Sequence, residues 1–311
     1  YYHHTGVAIL GMSSAFIVIT GASKGIGRAC AIGFAKNPTI PKVKLCLLAR
    51  NLNGLTETSR LAYAASCSSR TSSSPPIKGD EKSMGGKDLH VSTHQIDLSN
   101  LDSLEETIKS ILANNNDEEY DHYILINNAG SLGHLGEAKA LPSPKDLQKN
   151  IEFNLASSCW LSSYFLRWID QMNTRKDGTC SDTMDEMKRV KKCTVVNMSS
   201  LCAISPFPTM AVYCSGKAYR DMYHTTIALE ESKNTSPNSD VKILNYAPGA
   251  IATDMTQTLG ECTVLDAELS AFFKEKDETK FVKVEDTSNK LIDLVLSRNF
   301  ESGKHIDFWD D

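Results

Sequence analysis

No apolar run in these 311 residues is long enough to cross a bilayer, since a spanning helix needs about 20 apolar residues in succession. Basic residues are not in excess either. Lys and Arg total 33 against 38 Asp and Glu, a net charge of -5, which argues against nucleic acid or an anionic membrane as the main partner. The nine cysteines never fall as C-x-x-C, are odd in number and are scattered. That pattern suits a reducing compartment, which points to the cytoplasm, with thiols acting as small core residues. A nucleophile elbow for Ser-His-Asp hydrolysis is missing. His90 and His94 lie four apart in a strand pattern with no third ligand in view, so no metal site is expected. Residues 1–11 lack the basic leader and apolar core of a signal peptide. They read as a leader foreign to the fold, with Met12 as the natural start and His3 and His4 part of that leader.

What the chain does contain is concentrated in residues 199–217, S-S-L-C-A-I-S-P-F-P-T-M-A-V-Y-C-S-G-K. Tyr213 and Lys217 are four apart, so a helix puts them on one face. An ammonium beside a phenol favours the phenolate and is expected to pull Tyr213 down toward neutral pH. Ser200 follows an apolar run, C-T-V-V-N-M, that reads as a strand, and a strand ending there delivers its hydroxyl to the same point. A serine that polarises a carbonyl and a tyrosine that protonates it require a hydride donor. Cys202 and Cys214 flank these residues and are read as packing.

A dinucleotide site is present in the first third of the chain. The β-branched run 15–20 leads into Gly21, Ala22, Ser23, Lys24, Gly25, Ile26 and Gly27, and an apolar-periodic segment follows to about Lys36. Strand, glycine turn and helix are what a pyrophosphate needs: close backbone approach and a helix N-terminus for its charge. The second strand, 42–49, ends at Arg50 and Asn51. A carboxylate there would select the ribose hydroxyl of NAD. Arg50, with Lys24 in the glycine turn, suits a 2′-phosphate, so NADP(H) is the expected cofactor.

The strand–helix alternation continues to the end. A third strand, 89–96, precedes Asp97 and Leu98, where Asp97 can accept from an adenine amino group or cap the next helix. The fourth, 123–126, ends in Asn127, Asn128, Ala129 and Gly130, at the edge where ligands bind in open α/β sheets. Residues 145–172 read as one long helix, in which Asn154 would ordinarily face solvent or bond back to its own helix. Strands at 193–199, 241–246 and 303–308 and helices at 213–231 and 286–296 complete the pattern. The roughly 25 residues after Thr256 have weak pattern and read as a mobile lid. Residues 66–87, rich in Ser, Pro and Gly, and the polar 173–192 read as surface insertions. The expectation is a single domain, 12–311, built on one doubly wound, mostly parallel sheet of seven strands.

T-G-A-S-K-G-I-G at 20–27, N-N-A-G at 127–130, Ser200, Y-x-x-x-K at 213–217 and Pro248-Gly249 together resemble the short-chain dehydrogenase/reductase family, in that family's order and across nearly the whole chain. The resemblance implies a Rossmann-type fold, NADP(H) and a carbonyl reduction. It assigns carbonyl binding to Ser200, proton donation to Tyr213, and lowering of the tyrosine pKa with nicotinamide-ribose binding to Lys217. Asn154 would support a proton-relay water. The glycine turn, Arg50, Asn51, Asp97, Leu98, Asn128, Ala129, Gly130, Ile251, Ala252, Thr253, Asp254, Met255 and Thr256 would contact the cofactor. A closer likeness to the pterin-reducing members is carried by N-M-S-S-L-C-A at 197–203, L-N-Y-A-P-G at 244–249 and G-K-H-I-D-F at 303–308. It implies reduction of pterin side-chain ketones, the last step toward tetrahydrobiopterin. Leu201 and Gly249 would then lie beside the substrate and Asp307 would anchor the pterin. The chemistry of that anchor is sound, because a carboxylate accepts an amino group and a ring N–H side by side. The family's habit of pairing through its long helices implies a homodimer.

Two other readings remain open at this point. One is a broader carbonyl reductase acting on diketones or quinones. The other is a non-catalytic NADP-binding regulator, against which stands the presence of Asn154, Ser200, Tyr213 and Lys217 together.

Overall fold

The computed structural model describes residues 13–68, 87–115, 118–174, 191–234, 240–275 and 280–310. The expected leader and most of both expected insertions lie outside the described residues. The helices before the insertions run further than expected, to Ser68 and Thr174.

Seven strands form one sheet in the order β3-β2-β1-β4-β5-β6-β7, and every pairing is parallel. They are β1 (Ser14–Thr20), β2 (Lys42–Ala49), β3 (Asp88–Gln95), β4 (His122–Asn127), β5 (Lys192–Met198), β6 (Asp240–Ala247) and β7 (His305–Asp307). The order reverses between β1 and β4, which opens a crevice at their carboxyl ends. The inner strands read as unbroken apolar runs because both faces are covered. On one face Ile17, Leu45, Ile124, Val196 and Leu244 pack against α1 (Gly25–Lys36), α2 (Leu52–Ser68) and α9 (Val284–Ser297). On the other, Phe16, Cys46, Tyr123, Val195 and Ile243 meet α3 (Leu101–Ala113), α5 (Ser157–Thr174) and α6 (Ala211–Ser232). Cys30, Cys46, Cys159 and Cys193 are buried and free, as core thiols should be.

One expectation is corrected, one alternative is settled, and a stretch of weak pattern proves helical. The long helix breaks into α4 (Pro144–Ile151), a π-helical turn (Glu152–Ala156) and α5. A π turn inserts a residue into the helical ladder and re-aims what it carries. It turns Asn154 inward, to 8% exposure, rather than toward solvent. Asp97 does not cap α3; Asn100 does, accepting from the Ser103 N–H. The stretch after Thr256 folds into α7 (Asp254–Glu261) and α8 (Ala267–Lys274), whose Leu259, Leu269 and Phe273 pack with Leu132 and Met210. Its weak sequence pattern reflects the small size of that apolar cluster.

Two histidines are buried within this framework. His122 on β4 is fully buried, bonds Thr194 through Nε2 at 2.8 Å and is pushed down to about 3 by burial, with Arg298 adding to the effect. His224 on α6 is pushed down to about 4, again by burial. The folded state refuses protons at these rings that the unfolded chain accepts near pH 6.5. Stability is therefore expected to fall as pH drops from about 6.5 toward 4. His122→Gln, which keeps a partner for Thr194, should flatten that dependence in urea unfolding; an unchanged slope would refute the assignment.

Candidate active site

The glycine turn sits at the carboxyl end of β1, beside the chain reversal. Gly21 and Gly25 have φ of 66° and 55°, a left-handed region open to glycine at little cost. A Cβ at Gly27 would lie 2.5 Å from the Gly21 carbonyl and 2.7 Å from the Asn128 amide nitrogen. Ala22 is buried, and Ile26 packs against the core. The cap of α1 at Lys24 receives no side-chain hydrogen bond and the first turn carries no acid. Its free N–H groups therefore suit a phosphate. Asn128 ties the next loop to this turn: its Nδ2 donates to the Thr20 and Gly21 carbonyls at 2.9 and 3.2 Å. Thr20 Oγ1 accepts from the Asn128 and Ala129 N–H groups, both at 3.0 Å.

The segment from Ile251 closes over the turn. Ile251 bridges Val282, and Thr253 Cγ2 comes within 3.9 Å of a Cβ built on Gly25. The Thr253 N–H donates to Thr256 Oγ1 at 2.9 Å, which holds the start of α7. Ala252 lies between, exposed. The two cations expected at a 2′-phosphate are placed differently. Lys24 is paired with Asp254, both exposed. Arg50 lies with its guanidinium carbon 5.6 Å from the Phe153 ring centre. Asn51 caps α2 by accepting from Gly54 N–H at 2.9 Å. Asp97 accepts from both the N–H and the hydroxyl of Ser99, which, ahead of the Arg50 charge, hold its carboxyl below the usual range. Leu98 is a buried packing residue.

The reactive groups converge at the ends of β4 and β5. Ser200 follows β5 and accepts from the Cys202 N–H at 3.2 Å, fixing a short 3₁₀ turn, Leu201–Ala203. Leu201 on that turn is 48% exposed. Tyr213 and Lys217 stand on one face of α6. Lys217 Nζ donates to the Met198 carbonyl at 2.6 Å and lies 5.6 Å from the Tyr213 ring centre. The Tyr213 hydroxyl is 4.0 Å from Met255 Sδ. Asn154 is bound to Ser131: its Oδ1 accepts the Ser131 N–H at 2.7 Å, and its Nδ2 donates to the carbonyl and hydroxyl at 3.2 Å. The expected depression of Tyr213 is not found. Burial pushes its phenol up, outweighing the Ser200 hydrogen bond and the Arg220 charge that pull it down. Burial also pushes Lys217 down to about 7, with Arg220 adding to the fall and Asp221 opposing it. Desolvation disfavours the charged form of both groups, so the two move in opposite directions.

Sequence reasoning missed a row of polar residues beneath this site. Asn127, Asn197, Asn245 and His305 stand in register across β4, β5, β6 and β7. Arg220 and Asp221 of α6 meet that row. Arg220 donates to Asn197 Oδ1 at 2.8 Å and to the Asn127 and Ala129 carbonyls at 2.7 and 3.2 Å. Asp221 accepts from Asn197 at 2.8 Å and from His305 Nδ1 at 2.6 Å, and the carboxylate holds that imidazole above its ordinary value. A signal existed in the sequence, since each Asn interrupts or ends an apolar run. Asp307 lies two residues beyond His305 on β7, opposite Ala247, and so faces the same side of the sheet. Gly249, at φ 77°, follows close by, with Trp309 Nε1 3.6 Å from a Cβ built there.

A phosphate-ready glycine turn at the chain reversal, beside a Ser-Tyr-Lys cluster, defines a nicotinamide-dependent oxidoreductase. The model of the short chain dehydrogenase family matches residues 178–263. Sepiapterin reductase of Meriones unguiculatus is 31% identical over 303 residues, covering 96% of this chain and 98% of that protein. The chain therefore belongs to the short-chain dehydrogenase family. Benzil reductase of Bacillus subtilis is 24% identical, over 93% of this chain and 96% of its own length. Among solved structures, L-sorbose reductase from Gluconobacter frateurii, complexed with NADPH and L-sorbose, superposes with a TM-score of 0.66 at 21% identity, covering 96% of this chain and 95% of that one. That likeness bears on the fold. The reading as a non-catalytic regulator is set aside by the family.

Gly27→Ala should weaken binding of a nicotinamide dinucleotide and destabilise the fold by roughly 1–3 kcal/mol, the usual cost of overpacking. Calorimetric titration and denaturant unfolding check it. Unaltered affinity would mean that the turn does not hold the pyrophosphate.

Proposed function

We propose that this chain is an NADPH-dependent carbonyl reductase that reduces the side-chain ketones of pterins, in the manner of sepiapterin reductase. The observation that carries the reading is Asp307, a carboxylate at the sheet's carboxyl edge on the same face as α6. Its Oδ1 accepts the Trp309 N–H at 3.1 Å. A carboxylate has about four lone-pair directions, so an amino group and ring N–H of a pterin can still be accepted together. The full-length likeness to sepiapterin reductases supports the same conclusion.

The glycine turn and Lys217 would hold a nicotinamide dinucleotide, which would supply the hydride for the ketone carbon. Ser200 donates a hydrogen bond to the ketone oxygen as charge builds there. Tyr213 then gives that oxygen its proton. A buried phenol stays protonated through neutral pH, which suits a proton donor. Lys217 stands over the phenol and offsets the charge left on it, besides holding the nicotinamide ribose. Asn154, fixed by Ser131, would orient a relay water. Arg50 and Lys24 would take the 2′-phosphate, Lys24 by exchanging its partner Asp254. Eight free thiols among the described residues support a cytoplasmic setting. Exposed Tyr219, Met222 and Leu229 on the outer face of α6 support a homodimer through α5 and α6.

A second reading has its own support: the likeness to benzil reductase favours simple aromatic diketones as substrates. NADPH oxidation with sepiapterin beside benzil separates the two. Asp307→Asn should cripple sepiapterin turnover and spare benzil, whereas equal loss on both removes the anchoring role. Tyr213→Phe should cost about 10²–10⁴ in kcat on either substrate. No sepiapterin-dependent oxidation by the wild type sinks the pterin reading, and faster turnover with NADH sinks the roles of Lys24 and Arg50.

A further inference from the structure

Arg220 is 1% exposed, one of the largest side chains in the molecule to be so fully buried. Burying a guanidinium is costly unless its hydrogen bonds are made. Its partners are uncharged oxygens: two backbone carbonyls and one side-chain amide. Asp221, on the next residue, is joined to it through the Asn197 amide, which accepts from Arg220 and donates to Asp221. The cation is thus held in place by dipoles, with the acid one amide away.

The partners belong to three separate pieces of the site. Asn127 ends β4 and Ala129 follows it in the loop that ties to the glycine turn through Asn128. Asn197 lies three residues before Ser200. Arg220 itself is three residues past Lys217 and seven past Tyr213, the spacing of one helix face. The guanidinium also reaches under Gly130, with Nη1 3.9 Å from a Cβ built there, beside Asn154 Oδ1 at 3.5 Å. The chain from Asn127 continues on the far side. Asn127 Nδ2 donates to Ser162 Oγ at 2.7 Å, and Ser162 meets His224 Nε2 at 2.8 Å. His224 Nδ1 lies 2.7 Å from the Arg220 carbonyl. A carbonyl only accepts, so Nδ1 carries the proton and Nε2 takes the Ser162 hydroxyl. The backbone of Arg220 is held from one side and its side chain from the other.

We propose that Arg220 is a positioning residue for the carbonyl-reducing site: its fork locks the 127–130 segment, the Ser200 end of β5 and the Tyr213–Lys217 face of α6 into one geometry, and its cation, two turns along the helix face that carries Tyr213, favours the charge that builds there. The proposal rests on the carbonyl-reductase reading above but not on the pterin. The titratable groups facing Arg220 are Cys159 from α5 and Tyr213, Lys217, Asp221 and His224 from its own helix. Those facing Tyr213 are Cys202 beyond β5, and Cys214, Lys217 and Arg220 on α6. Lys217 feels Arg220, Asp221 and Cys202. Among these groups, Arg220 favours the Tyr213 phenolate and disfavours the Lys217 ammonium.

The test compares Arg220→Met and Arg220→Lys with the wild type, using NADPH and benzil, so that pterin recognition plays no part. Circular dichroism certifies the fold of each variant. Arg220→Met is expected to lose roughly ten- to a hundredfold in kcat through misalignment. It should also move the alkaline limb of the pH–rate profile upward, because the phenol loses a stabilising cation. Arg220→Lys keeps the charge but not the fork. It should lose kcat to a smaller extent and keep the limb where it is. Loss of kcat with an unmoved limb in Arg220→Met would leave a purely structural role and overturn the electrostatic half. Near-wild-type kcat in Arg220→Lys overturns the positioning half, and decides the matter even if Arg220→Met fails to fold. Should the wild type reduce no carbonyl at all, the functional reading fails instead. The Tyr213 phenolate absorbance, taken as the difference from Tyr213→Phe, then reports whether Arg220→Met raises the titration of that phenol; no change overturns the proposal.

Discussion

A row of amides crosses the carboxyl edge of this sheet, and the site is built on it. Parallel strands end in polar residues that must be satisfied where water is excluded. Asn127, Asn197 and Asn245 do this side by side, continued by His305. Each amide offers both a donor and an acceptor, so the row can bond along itself and to α6 at once. Asn197 uses both ends, accepting from Arg220 and donating to Asp221 and Asn245. The helix that bears Tyr213 and Lys217 is thereby set against four strands by directional contacts as well as by apolar packing.

Burial is the second constraint, and it acts on chemistry through charge. Tyr213 and Lys217 are neighbours on one helix face, and pairing alone would draw the phenol down and keep the ammonium charged. In the folded protein desolvation dominates both groups: the phenol is pushed up and the lysine down to about 7. Under the proposed mechanism, the result is a site whose proton donor stays loaded and whose lysine titrates within the working range of an enzyme. Ser200 and Arg220 act against burial at the phenol, so their contribution is to soften a penalty that the fold imposes.

The parallel sheet was legible because doubly covered strands read as apolar runs and the glycine turn marks the first crossover; the strand order came only from the pairings. Ser200, Tyr213, Lys217, Asn128 and the turn at 21–27 were legible because their spacing carries a mechanism. The π turn was not, since one extra residue in a helical ladder leaves no periodic trace over five residues. It decided the environment of Asn154, turning an ordinary helix asparagine into a partner of Ser131. Asp97 was ambiguous because an acid after a strand suits several turns, and only the geometry of Ser99 separates them. Arg220 carried no signal in the sequence, because burial of a guanidinium depends on carbonyls more than ninety residues away in sequence, such as that of Asn127.

The final strand, β7, has three residues and pairs only with β6. Its Asp307 is thus carried by the sheet's least-anchored member, whereas Ser200 and Tyr213 are carried by elements embedded in the core. Under the proposed function, reaction and recognition are carried by separate parts of the architecture. Descendants of this chain could exchange one substrate for another by altering a few C-terminal residues, with the proton-handling machinery left untouched, and the edge of the sheet is where such divergence would leave its record.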